Sequence, residues 1–149
     1  MGIVQWEDDL ELRIPDLDRQ HQILIELTNA FYHAYQEHRE NEELRRRFLQ
    51  LQEALVFHMD AEEALMQTSG FVGLAAHRRE HIMLKIQLEK LYDKLSGRDH
   101  SAAADLLQIL QDWLTRHIRE MDRKYVVYMM GKNLAVHLPQ MVQVDESSP

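Results

Sequence analysis

Apolar residues recur along this chain in alternating steps of four and three over four long stretches. Leu17, His21, Leu24, Thr28, Phe31 and Tyr35 form the first series, and Leu44, Phe48, Leu51, Leu55, His58, Glu62 and Leu65 the second. Leu74, His77, His81, Leu84, Leu88, Leu91 and Leu95 form the third; Leu106, Leu110, Trp113 and His117 form the fourth. Such stepping places all members on one stripe of an α-helix, the stripe that faces the interior of a bundle. Helix breakers fall between the series: Pro15 before the first, then Gly70 and Gly73, then Gly97, then Gly131. The pattern predicts helices at about 18–39, 42–68, 72–95 and 101–130. Asp16 or Asp18, Asn41, Ser69, and Asp99 or Ser101 are the candidate N-caps. No stretch alternates with the period of a strand. The expected fold class is all-α, an antiparallel up-down four-helix bundle with an N-terminal arm and a C-terminal tail. The bundle domain is expected over residues 1–131 and an extension over 132–149.

Every one of the four stripes contains at least one histidine where Leu would be ordinary. A buried imidazole or carboxylate is costly unless it is paired or bound to a metal. The inward-facing set is His21, His58, Glu62, His77, His81, His117 and Asp122. Satisfying all of these by hydrogen bonds alone would need an extended polar network in a small core, a rare arrangement. His58 with Glu62, and His77 with His81, are four apart and share a helix face. His117 and Asp122 are five apart, which on a regular helix diverges by about 140°. Asp122, Tyr125 and Met129 then resume the stepping, so a π-bulge or local unwinding is expected between His117 and Asp122.

Composition narrows the chemistry. The chain has 149 residues, suited to one domain, and no cysteine, which excludes disulfides, thiolate metal sites and thiol nucleophiles. A net charge of −8 opposes nucleic-acid binding, and the basic run "LRRRF" at 44–48 reads as a solvated helix face. No apolar run approaches the ~20 residues of a membrane span. The opening "MGIVQWEDDL" lacks the pattern of a signal peptide, so a cytoplasmic location is expected. Five imidazoles and two carboxylates exceed the needs of a single zinc, which takes about four ligands. No HExxH is present, and calcium or magnesium would call for oxygen donors. Two octahedral irons fit best. If both carboxylates and one oxygen atom bridge them, the imidazoles fill all remaining positions but one. That vacancy suits a small exogenous ligand.

Four motifs, in this order on the four expected helices, resemble the hemerythrin family, particularly its single-domain bacterial type. They are "DLDRQHQ" at 16–22, "HMDAEEALM" at 58–66, "HRREH" at 77–81 and "WLTRHIREMDRKY" at 113–125, within a likeness running from about Trp6 to Tyr128. The resemblance implies that His77, His81 and His117 complete a six-coordinate iron. It assigns His21 and His58 to the iron with the vacancy, with Glu62 and Asp122 bridging. It further implies reversible binding of dioxygen at the open iron, with electrons drawn from and returned to the metal pair. By position, Trp6, Leu24, Met59, Trp113, Leu114 and Ile118 match residues lining the family's oxygen pocket. Met59 departs from the Phe usual there, and a flexible thioether packs less rigidly than a ring.

An oxygen carrier, store or delivery protein, and not an enzyme, is the leading expectation. An oxygen or redox sensor is one alternative, and a diiron oxidase, peroxidase or iron-handling protein another. Oxygen-activating bundles typically use Glu-x-x-His pairs, and the sequence contains none. Tyr125 is read as packing the bundle end, with a hydrogen bond toward the site as the alternative. Glu63 is read as solvated, and His33, His38, His100 and His137 as surface or loop residues. Residues 133–144 of the tail are apolar enough to dock on the bundle or to meet a protein partner or second copy; the last few read as disordered.

Overall fold

The four apolar stripes become four helices packed in a ring. A computed structural model describes residues 2–99, 101–133 and 138–141 of the chain. Helix α1 spans Pro15–Gln36, α2 Asn41–Ser69, α3 Leu74–Ser96 and α4 Ser101–Arg116. A π-helical turn, His117–Asp122, follows directly and continues into α5, Arg123–Gly131. Helix α1 packs on α2 and α4, and α3 on the same two neighbours. There is no strand among the described residues.

Inside the ring, Leu17, Leu24, Phe31, Phe48, Leu51, Leu55, Leu84, Leu88, Leu106 and Leu110 are buried as the stepping predicts. Burying each such side chain contributes about 1.5–3 kcal/mol. The stripes drift at their ends. Tyr35, Leu65, Leu74 and Trp113 are only half-buried, and Ala34, Met66 and Leu114 take inward positions beside three of them.

The helix ends differ in detail from the sequence expectation. Pro15 occupies the first turn of α1, where its missing N–H costs nothing, and Ile14 stands at the N-cap. Asp18, a candidate cap, instead accepts the Leu12 N–H at 2.9 Å. Asn41 opens α2 after Glu40 and donates its amide to the Leu95 carbonyl at 3.1 Å. Ser69 closes α2 rather than capping α3, which starts after Gly73. Gly70 takes the left-handed conformation (φ 71°), and the Phe71 N–H reaches back to the Met66 carbonyl at 3.0 Å. At the end of α3 the left-handed residue is Arg98 (φ 64°), not Gly97 (φ −79°). Asp99 Oδ1 accepts the Ser101 N–H at 3.1 Å, capping the start of α4.

Two segments outside the ring hold its edges. In the arm, Val4, Leu10 and Leu12 are buried, and Asn29 of α1 grips Val4 by both backbone groups, at 3.0 and 2.8 Å. Arg119 of the π-helical turn donates to Glu7 at 2.6 Å and to Asp9 at 3.0 Å. The tail returns to α1. Leu138 is buried, its N–H donates to Asp16 Oδ2 at 3.3 Å, and Gln20 Nε2 donates to the Pro139 carbonyl at 2.7 Å. Residues 134–137 and 142–149, with His100, lie outside the described residues, and so do the readings made for His100, His137 and the final residues. No helix among the described residues is long and apolar enough to cross a membrane.

Candidate metal centre

All seven inward polar residues meet in the middle of the ring, each at most 2% exposed. Helix α1 contributes His21, α2 His58 and Glu62, and α3 His77 and His81. The π-helical turn contributes His117 and Asp122. The wider winding expected from their spacing is present, and it brings His117 Nε2 to 3.0 Å from Asp122 Oδ1. A regular helix would have turned the two apart by about 140°.

The donor atoms gather in two groups that share a carboxylate. Glu62, His77, His81 and His117 form one, and His21, His58, Glu62 and Asp122 the other, with atoms within 4.8 Å of one another in each. Asp122 spans both. Its Oδ2 lies 2.9 Å from His21 Nε2, and its Oδ1 lies 3.1 Å from His77 Nε2. Glu62 Oε1 lies 3.0 Å from His58 Nε2 and 3.5 Å from His81 Nε2. His117 Nε2 is 3.2 Å from His81 Nε2 and 3.1 Å from His77 Nε2.

These separations fit ligands better than hydrogen-bond partners. A six-coordinate ion with bonds of about 2.2 Å sets adjacent donors about 3.1 Å apart. Both oxygens of Glu62 and of Asp122, and His21 Nε2, have no aligned hydrogen-bond partner among the described residues despite full burial. A buried polar group left in that state costs about 1–3 kcal/mol, and more when charged. A cation at the point where the lone pairs converge removes the penalty.

The electrostatics agree. Burial raises the Glu62 carboxyl, as does the charge of Asp122, yet His58 and His77 hold it well below the usual range. Asp122 is likewise lifted by burial and held down by His117, His21 and His77. Burial lowers His77, but Asp122 and Glu62 outweigh it and push the imidazole up to about 10. His117 rises against burial through Asp122. Protons and metal therefore compete for one donor set.

A second ring of partners aims the imidazoles. Gln20 Oε1 lies 2.7 Å from His58 Nδ1, Glu63 Oε2 lies 2.9 Å from His81 Nδ1, and Glu80 Oε2 lies 3.0 Å from His117 Nδ1. Each helix thus serves the ligand of the next, α1 to α2, α2 to α3, and α3 to the turn after α4. Glu63, expected to be solvated, is instead mostly covered and also accepts from Arg78 Nε at 2.8 Å. Outer partners of this kind fix the tautomer and raise the basicity of a ligand. All three sit directly beside an inner residue in sequence: Gln20 before His21, Glu63 after Glu62, Glu80 before His81. One residue along a helix turns about 100°, from the seam toward the neighbouring helix. That adjacency was the available signal.

Of the apolar residues singled out, Leu24, Met59, Leu114 and Ile118 are buried on the turns that carry the site. Trp113 stacks on His117, with ring centroids 4.2 Å apart and planes inclined by 11°, while Trp6 is half-buried against the core. Tyr125 is wholly buried, packs on His77 at 5.8 Å and Phe71 at 6.3 Å, and its hydroxyl has no aligned hydrogen-bond partner among the described residues. Burial first, then the charges of Glu62 and Asp122, drives that hydroxyl well above its usual pKa. His33 and His38 are exposed and take no part in the site.

A buried cage of imidazoles and shared carboxylates inside a four-helix bundle defines a metal-binding domain. The family model described as "Hemerythrin HHE cation binding domain" matches residues 12–128, and the chain belongs to the hemerythrin family. It is 29% identical over 148 residues to the bacteriohemerythrin of Stenotrophomonas maltophilia, covering 99% of this chain and 92% of that protein. It is 26% identical to the bacteriohemerythrin of Clostridium acetobutylicum, covering 81% and 97%. It is 28% identical to that of Methylococcus capsulatus, covering 84% and 95%. The family binds non-haem iron, and the donor set described above fits such a metal site.

Proposed function

We propose that this chain binds dioxygen reversibly at a pair of non-haem iron ions, as a carrier, store or delivery protein. His77, His81 and His117 would hold one ion, His21 and His58 the other, with Glu62 and Asp122 shared between them. The observation that carries the reading is this inequality of three imidazoles against two around common carboxylates. One ion would then have fewer protein ligands than the other, and a bound iron pair would supply the electrons for binding a diatomic guest.

The remaining work falls to the chain itself. Leu24, Met59, Leu114 and Ile118 present apolar surface beside the ligand-bearing turns and keep water from the donors. Trp113 covers the face of His117, and Trp6 of the arm packs half-buried against the core. Glu63 and Glu80 hold His81 and His117 with Nε2 inward, so the site needs little rearrangement as its charge changes. An imidazole-rich set without Glu-x-x-His pairs favours binding over substrate oxidation.

Metal analysis and an absorption spectrum test the proposal together. Purified protein should contain two irons per chain, lose its visible bands on reduction, and regain them with oxygen over repeated cycles. Bleaching that does not reverse, or a tightly held metal other than iron, overturns it. Rapid turnover of added reductant or peroxide would favour the oxidase or peroxidase reading instead.

A further inference from the structure

The two imidazole groups are not supported alike. In the three-imidazole group, Glu63 and Glu80 back His81 and His117 with carboxylates borne on the bundle itself, and His77 Nδ1 alone lacks a partner among the described residues. In the pair, His21 Nδ1 has no partner among the described residues, so outer support reduces to Gln20 on His58. Gln20 is 2% exposed, neutral, and held at its other end by the tail.

Donor chemistry fixes the state of each link. Pro139 presents a carbonyl, so the group of Gln20 that faces it at 2.7 Å must be the donating Nε2. Oε1 is then turned to His58, 2.7 Å away, where it accepts only from Nδ1–H. With Nδ1 engaged outward, Nε2 is the His58 nitrogen that faces the cage, 3.0 Å from Glu62 Oε1. Leu138 anchors the segment through its buried side chain and its N–H bond to Asp16.

We infer that residues 138–141 are a positioning latch on the metal centre, with the Pro139 carbonyl orienting Gln20 and Gln20 setting the tautomer and aim of His58. The inference rests on the diiron reading above, with His58 on the two-imidazole ion. The latch lies beyond residues 12–128, the stretch matched by the family. It makes the hold on one ion depend on whether the tail is docked, while the other ion is indifferent to it. Gln20 and the tail act through His58 and touch neither ion.

Iron release to excess chelator from the full-length, iron-loaded protein tests this. Leu138→Asp and Gln20→Leu should each release one iron about 10-fold faster and leave the second at the wild-type rate. The double variant should be no faster than Gln20→Leu, because both changes break one chain of contacts. Gln20→Glu keeps an acceptor for His58 and drops the donor to Pro139, so it should restore slow release and ignore Leu138→Asp. Helical circular dichroism accompanies each variant, and Leu138→Ala replaces Leu138→Asp should the latter not fold. Two irons per chain with release unchanged, equal acceleration of both irons, or an additive double variant overturns the latch alone. A wild-type chain with fewer than two irons overturns the diiron reading and the latch with it.

Discussion

Glu63 Oε2 meets His81 Nδ1 at 2.9 Å, while the preceding residue, Glu62, faces Nε2 of the same ring at 3.5 Å. Two consecutive glutamates therefore address the two nitrogens of one imidazole, one from outside the cage and one from within it. The inner carboxylate is shared between the donor groups, and the outer one holds the ring. Losing the outer contact should weaken the three-imidazole ion without emptying the cage of donors. Glu63→Ala is expected to lower metal affinity there by about 10–100-fold, and Glu63→Gln, which keeps an oxygen acceptor, by less. Competitive metal titration gives the affinities, and equal affinities across the three proteins would deny Glu63 this role.

Leu114 tests the apolar wall. It is fully buried in the last turn of α4, three residues before His117 of the π-helical turn. Leu114→Ala removes no donor, so iron content should stay at the wild-type level, although stability should fall by about 2–5 kcal/mol. Water should gain access to the donors, and the oxygenated form that the proposed function entails should autoxidise faster. The decay of its visible spectrum under air measures the rate. An unchanged decay would place Leu114 in ordinary core packing.

The sequence displayed the inner cage and concealed what supports it, for a physical reason. His21, His58, His77, His81 and His117 stood out because they interrupt stripes made mostly of Leu, with Phe, Tyr and Trp among the rest. The five-residue step from His117 to Asp122 even carried the π-helical turn, since no regular helix brings both to one face. Gln20, Glu63 and Glu80 sit one position off those stripes, where polar residues are the rule on a solvated face. Only the packing of a neighbouring helix turns such a residue into a partner. The tail posed a different problem. Its contact with Gln20 runs through the Pro139 carbonyl, and a backbone oxygen carries no side-chain signature.

The end of α3 illustrates the same limit at the backbone level and yields a third prediction. Gly97 marked the break in sequence, yet its φ of −79° is open to any residue, and an added Cβ would meet backbone no closer than 3.5 Å. Arg98 adopts the left-handed conformation instead, at a cost of about 1 kcal/mol for a non-glycine residue. Arg98→Gly should therefore stabilise the protein by about 0.5–1 kcal/mol, and Gly97→Ala should be neutral or mildly stabilising. Gly70→Ala, at φ 71°, should destabilise by about 1 kcal/mol. Urea midpoints give all three, and a loss of stability in Arg98→Gly contradicts the assignment.

Without metal, the cage depends on protons, and that dependence has a definite sign. His77 is raised in the folded chain from 6.5 to about 10, chiefly because Asp122 and Glu62 outweigh the burial that opposes it. A group raised on folding contributes fully below its unfolded pKa and loses that contribution as pH climbs through the folded value. The metal-free protein should hence weaken progressively between about pH 6.5 and pH 10. Glu62 and Asp122 are depressed in the fold, so their contribution is present above their unfolded values and vanishes as pH falls through the folded ones. Stability of the metal-free chain should then peak between about pH 4.5 and pH 6.5. Metal reverses the alkaline limb, because ions bind the deprotonated imidazoles and no longer displace protons as pH rises. Urea midpoints of metal-free and metal-loaded protein at about pH 6, 8 and 10 should diverge steadily. Parallel midpoints across that range would mean that His77 carries no proton between the carboxylates of the empty cage.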